Sequence, residues 1–261
     1  MRTELISRPG HPERPDEDFA SITLPGAGHG GTLVVLDGVT APAGDTGCLH
    51  SVPWFTARLG GALTELALSL ADAPLGEALS HAVARTAAAH ADTCDLSHAR
   101  TPQATVVCAR WSRETVEYLV LCDSVLLVEA PDGTVTTVRD DRLARSGITA
   151  RTTEEEIDTR LRNREGGFFT AAADPGVASR AVTGALPRRE VRSLTALTDG
   201  AARLVEVFGE GSWAACPGLV RSEGARALVD RVRDLERAAA SRGAPGPGKT
   251  HDDATVVYAE V

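Results

Sequence analysis

The chain has 261 residues, 43% hydrophobic and 24% charged, the proportions of a protein that folds around a core and unlike those of a disordered or fibrous chain. Its net charge of -9 excludes a nucleic-acid binder built on clustered Arg and Lys, yet an acidic surface still admits a phosphorylated substrate where cations supply the local positive charge. No run of 18 apolar residues spans a membrane and MRTELISRPGHPERPDED lacks a secretory apolar segment; Cys48, Cys94, Cys108, Cys122 and Cys216 contain no CxxC pair, so we expect a cytoplasmic protein with neither a disulfide framework nor a zinc ribbon.

A single domain over 1–261 is expected. Residues 21–24 and 32–36 read as strands either side of a glycine-rich turn, the second running straight into Asp37-Gly38. From 52 to 70, Trp54, Phe55, Leu59, Leu63, Leu66 and Leu70 recur at helical spacing, and a second helix follows over 75–90. Apolar runs at 104–110, 116–121, 125–129 and 134–138, broken by short turns, predict an antiparallel meander in which Cys108 and Cys122 are small core residues. The charged stretch 141–176, with Glu154-Glu155-Glu156 on a solvated helix face, predicts a short helix and a mobile flap. A buried strand at 193–198 ends in Asp199-Gly200 and leads into a helix. A long helix over 217–240, a Gly/Pro loop over 241–248, and a final strand over 254–261 opened by His251-Asp252-Asp253 complete the chain.

Asp37, Asp199 and Asp252 each lie at the end of an apolar strand. Any one Asp-Gly pair is ordinarily just a turn, and Asp252-Asp253 alone could cap a loop. If the three strand ends converge, however, their mutual repulsion calls for cations, and an all-oxygen ligand set selects Mg²⁺ or Mn²⁺ over zinc. Glycine after the aspartate lets a backbone carbonyl or a substrate approach closely.

Five elements then occur in order: Asp16-Glu17-Asp18-Phe19, Val34-Val35-Leu36-Asp37-Gly38, Leu121-Cys122-Asp123-Ser124 with the Asp132-Gly133 hairpin, Ala196-Leu197-Thr198-Asp199-Gly200, and Asp252-Asp253-Ala254-Thr255-Val256-Val257. Together they resemble the metal-dependent (PPM, type 2C) Ser/Thr protein phosphatases across nearly the whole chain. The resemblance implies an α+β fold, an α-β-β-α sandwich of two antiparallel sheets flanked by helices. It implies two Mn²⁺ or Mg²⁺ ions, with a weaker third. Asp37 would bridge both ions and the Gly38 carbonyl would bind one of them. Asp199 and Asp252 would hold the other, Glu17 would act through water, and Asp123 with Asp199 would form the third site. Asp37 and Asp199 are thereby the catalytic pair, and the substrate is a phosphorylated protein hydrolysed by metal-activated water.

The chain departs from the family pattern in four places. Val39-Thr40-Ala41-Pro42 replaces a glycine-containing turn, and Val39 stands where some members carry a general-acid histidine. Glu13 occupies the place of the phosphate-binding arginine, leaving Arg14 one residue away as the candidate. Cys122, Val125 and Asp253 replace the usual Gly, Arg and Asn. These departures keep two alternatives open: a pseudophosphatase acting as a binding or scaffold module, and a small-molecule phosphatase on the same fold. None of the seven histidines pairs at ligand spacing on one helix face; His81 and His90 fall in a predicted helix, where surface or packing roles are expected, His50 follows the altered loop, and His251 is the one worth testing beside Asp252.

Overall fold

Two sheets, each of five strands, are stacked face to face in a computed structural model that describes residues 1–26, 30–40, 44–149, 151–242 and 250–261. In the first sheet the order is β1 (Thr3–Arg8), β10 (Ala254–Glu260), β9 (Ser193–Leu197), β6 (Val125–Glu129) and β7 (Val135–Val138). The second runs β2 (Phe19–Thr23), β3 (Gly31–Leu36), β4 (Val106–Trp111), β5 (Thr115–Leu121) and β8 (Val182–Pro187). Every neighbouring pair is antiparallel.

Helices cover the outer faces, so the inner strands are buried on both sides and read as continuous apolar runs. β3 shows the division of labour. Leu33 and Val35 point into the layer between the sheets with Val107, Leu126, Leu194 and Val257. Val34 and Leu36 point the other way, beneath α1 (Val52–Ser69) and α2 (Leu75–Ala88), against Phe55, Leu59, Leu63 and Leu79. Short helices α3 (Arg142–Arg145) and α4 (Glu154–Glu156) follow the meander. On the far side, α5 (Asp199–Glu206), α6 (Cys216–Glu223) and α7 (Ala225–Ser241) bury Leu204, Val220, Leu228 and Val232 on Val125, Leu127, Val256 and Tyr258 of the first sheet. Each such fully buried aliphatic side chain contributes about 1.5–3 kcal/mol. The expected α-β-β-α sandwich is what forms.

Several elements differ from expectation. β1 and β8 were not foreseen: both are edge strands, only half-buried, and so lack the unbroken apolar runs that mark the inner ones. The helix expected over 217–240 is two helices, because the chain turns at Gly224 with φ of +94°, a conformation glycine adopts readily. α2 stops at Ala88, two residues before His90. The Gly/Pro loop falls largely at 243–249, outside the described residues, as do Ala41 and Pro42.

Topology decides where the acidic strand ends meet. β3, β4 and β5 alternate in direction, so β3 and β5 finish at the same end of their sheet; β9 likewise finishes where its neighbour β10 begins. The β5-to-β6 connection crosses from one sheet to the other at that end, so both sheets present their acidic ends together. Segment 141–176 lies over this end. Its helices α3 and α4 bury no side chain, and Thr153 starts α4 with a reciprocal capping box to Glu156. At its root Phe168, Thr170 and Ala171 are buried, and Ala171 exchanges backbone hydrogen bonds of 2.8 and 2.9 Å with Ala104.

Candidate metal centre

Asp37, Asp123, Asp199 and Asp252 line one cavity of about 360 Å³, joined by Gly38. Asp37 follows β3 and is locked by Thr105, whose N–H donates to the Asp37 carbonyl at 2.9 Å and whose Oγ1 accepts from the Asp37 N–H at 3.3 Å. The Asp37 carboxylate accepts the N–H of Asp199 at 3.3 Å, at the first turn of α5, where unpaired backbone N–H groups favour negative charge. Asp123 sits in the crossing from β5 to β6, and Asp252 just before β10.

Burial, reinforced by the charges of Asp199, Asp18 and Asp123, pushes the Asp37 carboxyl well above its ordinary range. Burial also raises Asp123, with Asp140 and Asp252 adding to the effect. Carboxylates gathered at this density need cations to remain ionised. Asp18 shows the same demand in one atom: its Oδ2 accepts the hydroxyls of Thr198 and Thr255 at 3.0 and 2.7 Å, while Oδ1 is buried without a hydrogen-bond donor. A hard divalent cation, directly or through its water, suits that oxygen and an all-oxygen donor set. The residues present therefore fit the ions that the resemblance implies.

The two glycines after the aspartates admit a close backbone approach. A Cβ on Gly38 would lie 2.5 Å from the Glu17 carbonyl oxygen, and one on Gly200 only 1.9 Å from that of Asp253. Asp253 itself is a clasp: its two carboxylate oxygens accept the N–H groups of Gly10 and Glu17, each at 2.7 Å, fastening the N-terminal segment to β10. Asp16, Asp18 and Asp253 could offer three oxygens within 4.8 Å of one another, but Asp16 is also engaged, by the Ser7 hydroxyl at 2.6 Å and the Asp18 N–H at 3.0 Å. Glu17 stands beside the cavity and accepts the Thr40 hydroxyl. Arg14 is exposed and lines a smaller neighbouring cleft of about 140 Å³ with Glu17, Thr40, His251 and Asp252.

Three features went unread in the sequence. Arg162 lines the carboxylate cavity; it is partly buried, 3.7 Å from Asp158 and 5.8 Å from the Phe168 ring centre. Within a stretch holding Arg151, Arg160 and Arg164, nothing local singles it out. Behind Asp252, the buried Glu236 pairs with Arg203 at 2.9 Å, Arg233 at 2.8 Å and His251 at 2.7 Å, and Arg233 donates to the Asp252 carbonyl at 2.6 Å. His251 thus supports the segment carrying Asp252 through Glu236. Finally, Cys122 has φ of +68°, which explains the usual glycine at its position; burial pushes its thiol well above the ordinary range.

A family model described as Protein phosphatase 2C matches residues 13–241. The chain belongs to that family. Among solved structures of similar fold, the Ser/Thr phosphatase Stp1 from Staphylococcus aureus is 14% identical, with a TM-score of 0.60 over 99% of this chain and 94% of that one. Serine-threonine phosphatase 2C from Toxoplasma gondii is 15% identical, with a TM-score of 0.61 over 98% and 93%. The serine/threonine phosphatase of S. agalactiae is 15% identical, with a TM-score of 0.58 over 100% and 99%. No curated protein sequence matches the chain. At such identities the shared phosphatase 2C fold is established by the backbone, and the site has to be argued from this chain's own residues. No helix among the described residues is long and apolar enough to cross a membrane.

Proposed function

We propose that the protein is a Mn²⁺- or Mg²⁺-dependent phosphomonoester hydrolase acting on phosphoserine or phosphothreonine in proteins. The observation that carries this reading is the convergence of Asp37, Asp123, Asp199 and Asp252 on one cavity, where burial, reinforced by the neighbouring like charges, holds the Asp37 carboxyl well above its ordinary range. Bound divalent cations supply Lewis-acid activation of water for in-line attack at phosphorus. Asp37, Asp199 and Asp252, with the Gly38 carbonyl, hold the cations; Glu17 and Asp123 complete their surroundings. Arg162, rather than the exposed Arg14, orients the phosphoryl oxygens, since a guanidinium on the cavity wall matches their geometry. Leu143, Ile148, Ile157 and Phe168 form an apolar wall that limits bulk water around the phosphate. Cys122 also faces the cavity, but its raised thiol stays protonated near neutrality and is a poor nucleophile, which favours attack by water over a cysteinyl-phosphate route.

The test is Mn²⁺-dependent phosphate release from phosphopeptides, metabolite phosphates and p-nitrophenyl phosphate. Asp199→Asn is expected to lower turnover by roughly 10²-fold or more, and Arg162→Ala to raise KM for phosphopeptides with a smaller loss in kcat. Cation binding without turnover on any substrate would replace the enzyme by a binding module, and turnover confined to metabolites would replace the protein substrate by a small molecule.

A further inference from the structure

Two thiols and two imidazoles meet at the open end of the α1–α2 hairpin, where the chain enters α1 and leaves α2, outside the carboxylate cavity. Cys48 Sγ lies 3.1 Å from Cys94 Sγ, 3.4 Å from His90 Nδ1 and 3.7 Å from His50 Nδ1, and Cys94 Sγ lies 3.4 Å from His50 Nδ1. All four residues offer a ligand atom within 4.8 Å of the others. A tetrahedral zinc ion with Zn–S near 2.3 Å and Zn–N near 2.05 Å sets sulfur atoms about 3.8 Å apart and sulfur–nitrogen pairs about 3.6 Å apart. The three sulfur–nitrogen distances agree within about 0.2 Å, and the sulfurs need part by only about 0.7 Å. A disulfide requires about 2.05 Å; both cysteines are free thiols.

The surroundings are those of a thiolate site. The Leu49 N–H donates to Cys94 Sγ and the His50 N–H to Cys48 Sγ, both at 3.4 Å, which disperses the negative charge a metal-bound sulfur carries. The rings are held in place: His50 stacks on Trp54 with centroids 3.9 Å apart, and His90 is only 2% exposed. The adjoining loops are tied by the Asp95 N–H donating to the Gly47 carbonyl at 2.7 Å. Two sulfur and two imidazole donors form a set that selects zinc over Mn²⁺ or Mg²⁺, and four protein ligands leave no open position for chemistry.

We propose that Cys48, His50, His90 and Cys94 form a structural zinc site. The ion joins the segment leading into α1 to the turn that follows α2, closing the helical hairpin at its loose end. It also fixes the lead into α1, whose first residue, Val52, lies against Gly38. Such a site departs from the expectations of no zinc ribbon and of a surface or packing role for His90. Cysteines and histidines considered separately show no ligand pair; taken together, Cys48-x-His50 and His90-x₃-Cys94 do.

Elemental analysis of the full chain, after chelation and desalting to strip weakly held ions, is expected to find about one zinc per chain. Cys48→Ser and His90→Ala should reduce it to a trace, whereas His81→Ala, at an exposed position outside the cluster, and Asp37→Asn, at the carboxylates, should retain it. Because the cluster variants can lose their fold, the wild-type chain is also emptied with a mercurial and titrated with Co²⁺. The expected spectrum shows tetrahedral d–d bands in the visible and thiolate-to-cobalt charge transfer in the near ultraviolet, both abolished by zinc. A zinc-free chain lacking that spectrum, a Cys48–Cys94 disulfide on non-reducing peptide mapping, or zinc lost with Asp37→Asn would each overturn the proposal.

Discussion

Asp37 is stabilised in its protonated form by folding, and this fixes the sign of a pH effect. The folded carboxyl holds its proton to higher pH than the unfolded one, so its contribution to stability is fully present below about pH 4 and is lost as pH rises through the folded value. In chelator near neutrality, Asp37→Asn is therefore expected to have a higher urea midpoint than the wild type, with the gap closing toward about pH 4. Mn²⁺ should reverse the order, since only the wild type keeps the ligand. Equal midpoints at both pH values would show that folding does not raise the Asp37 carboxyl. Cys122 presents a second conflict, between a left-handed backbone and a side chain that favours other conformations, at a cost of order 1 kcal/mol. Its N–H is held by the buried Asp140 carboxylate at 3.0 Å, which helps fix the turn that carries Asp123.

Between elements, the decisive contact is the first turn of α5 against the head of β10. With the Gly200 Cβ position 1.9 Å from the Asp253 carbonyl oxygen, Gly200→Ala must separate the two elements that carry Asp199 and Asp252. We expect a loss of about 1–3 kcal/mol and weaker Mn²⁺ binding by calorimetry. Gly61→Ala supplies the contrast: it lies in α1 with open space around its Cβ position and should gain about 0.5–1 kcal/mol. Similar melting temperatures for the two variants would remove the contact from the account of the site. The flap over 141–176 divides by the same kind of reasoning. We propose that its outer part, with two helices that bury no side chain, opens readily, while its root is held by Ala104. Amide exchange should be fast over 142–157 and slow over 168–171, with Mn²⁺ and a phosphate analogue slowing the former. Strong protection of 142–157 without ligand would make this segment a fixed wall instead.

For the molecule as a whole, legibility in the sequence followed burial. Inner strands such as β3 and β9, covered on both faces, announced themselves as apolar runs ending in Asp37 and Asp199, whereas the half-buried edges β1 and β8 carried too little pattern to stand out. The acidic centre was readable because each carboxylate adjoins such a run. Arg162, the Glu236 network and the Cys48–Cys94 cluster were not, since each acquires meaning only when segments tens of residues apart are brought together. One further consequence follows from the strand order. β10 lies between β1 and β9, hydrogen-bonded to both, and Asp252 stands at its head. On a chain emerging amino end first, β1 has no partner in its sheet and β9 shows a bare edge until residues 254–260 have been synthesised. The carboxylate centre is thus incomplete until residues 252–260 have emerged, and a nascent chain stalled before them would be exposed to aggregation without holding the full set of carboxylates.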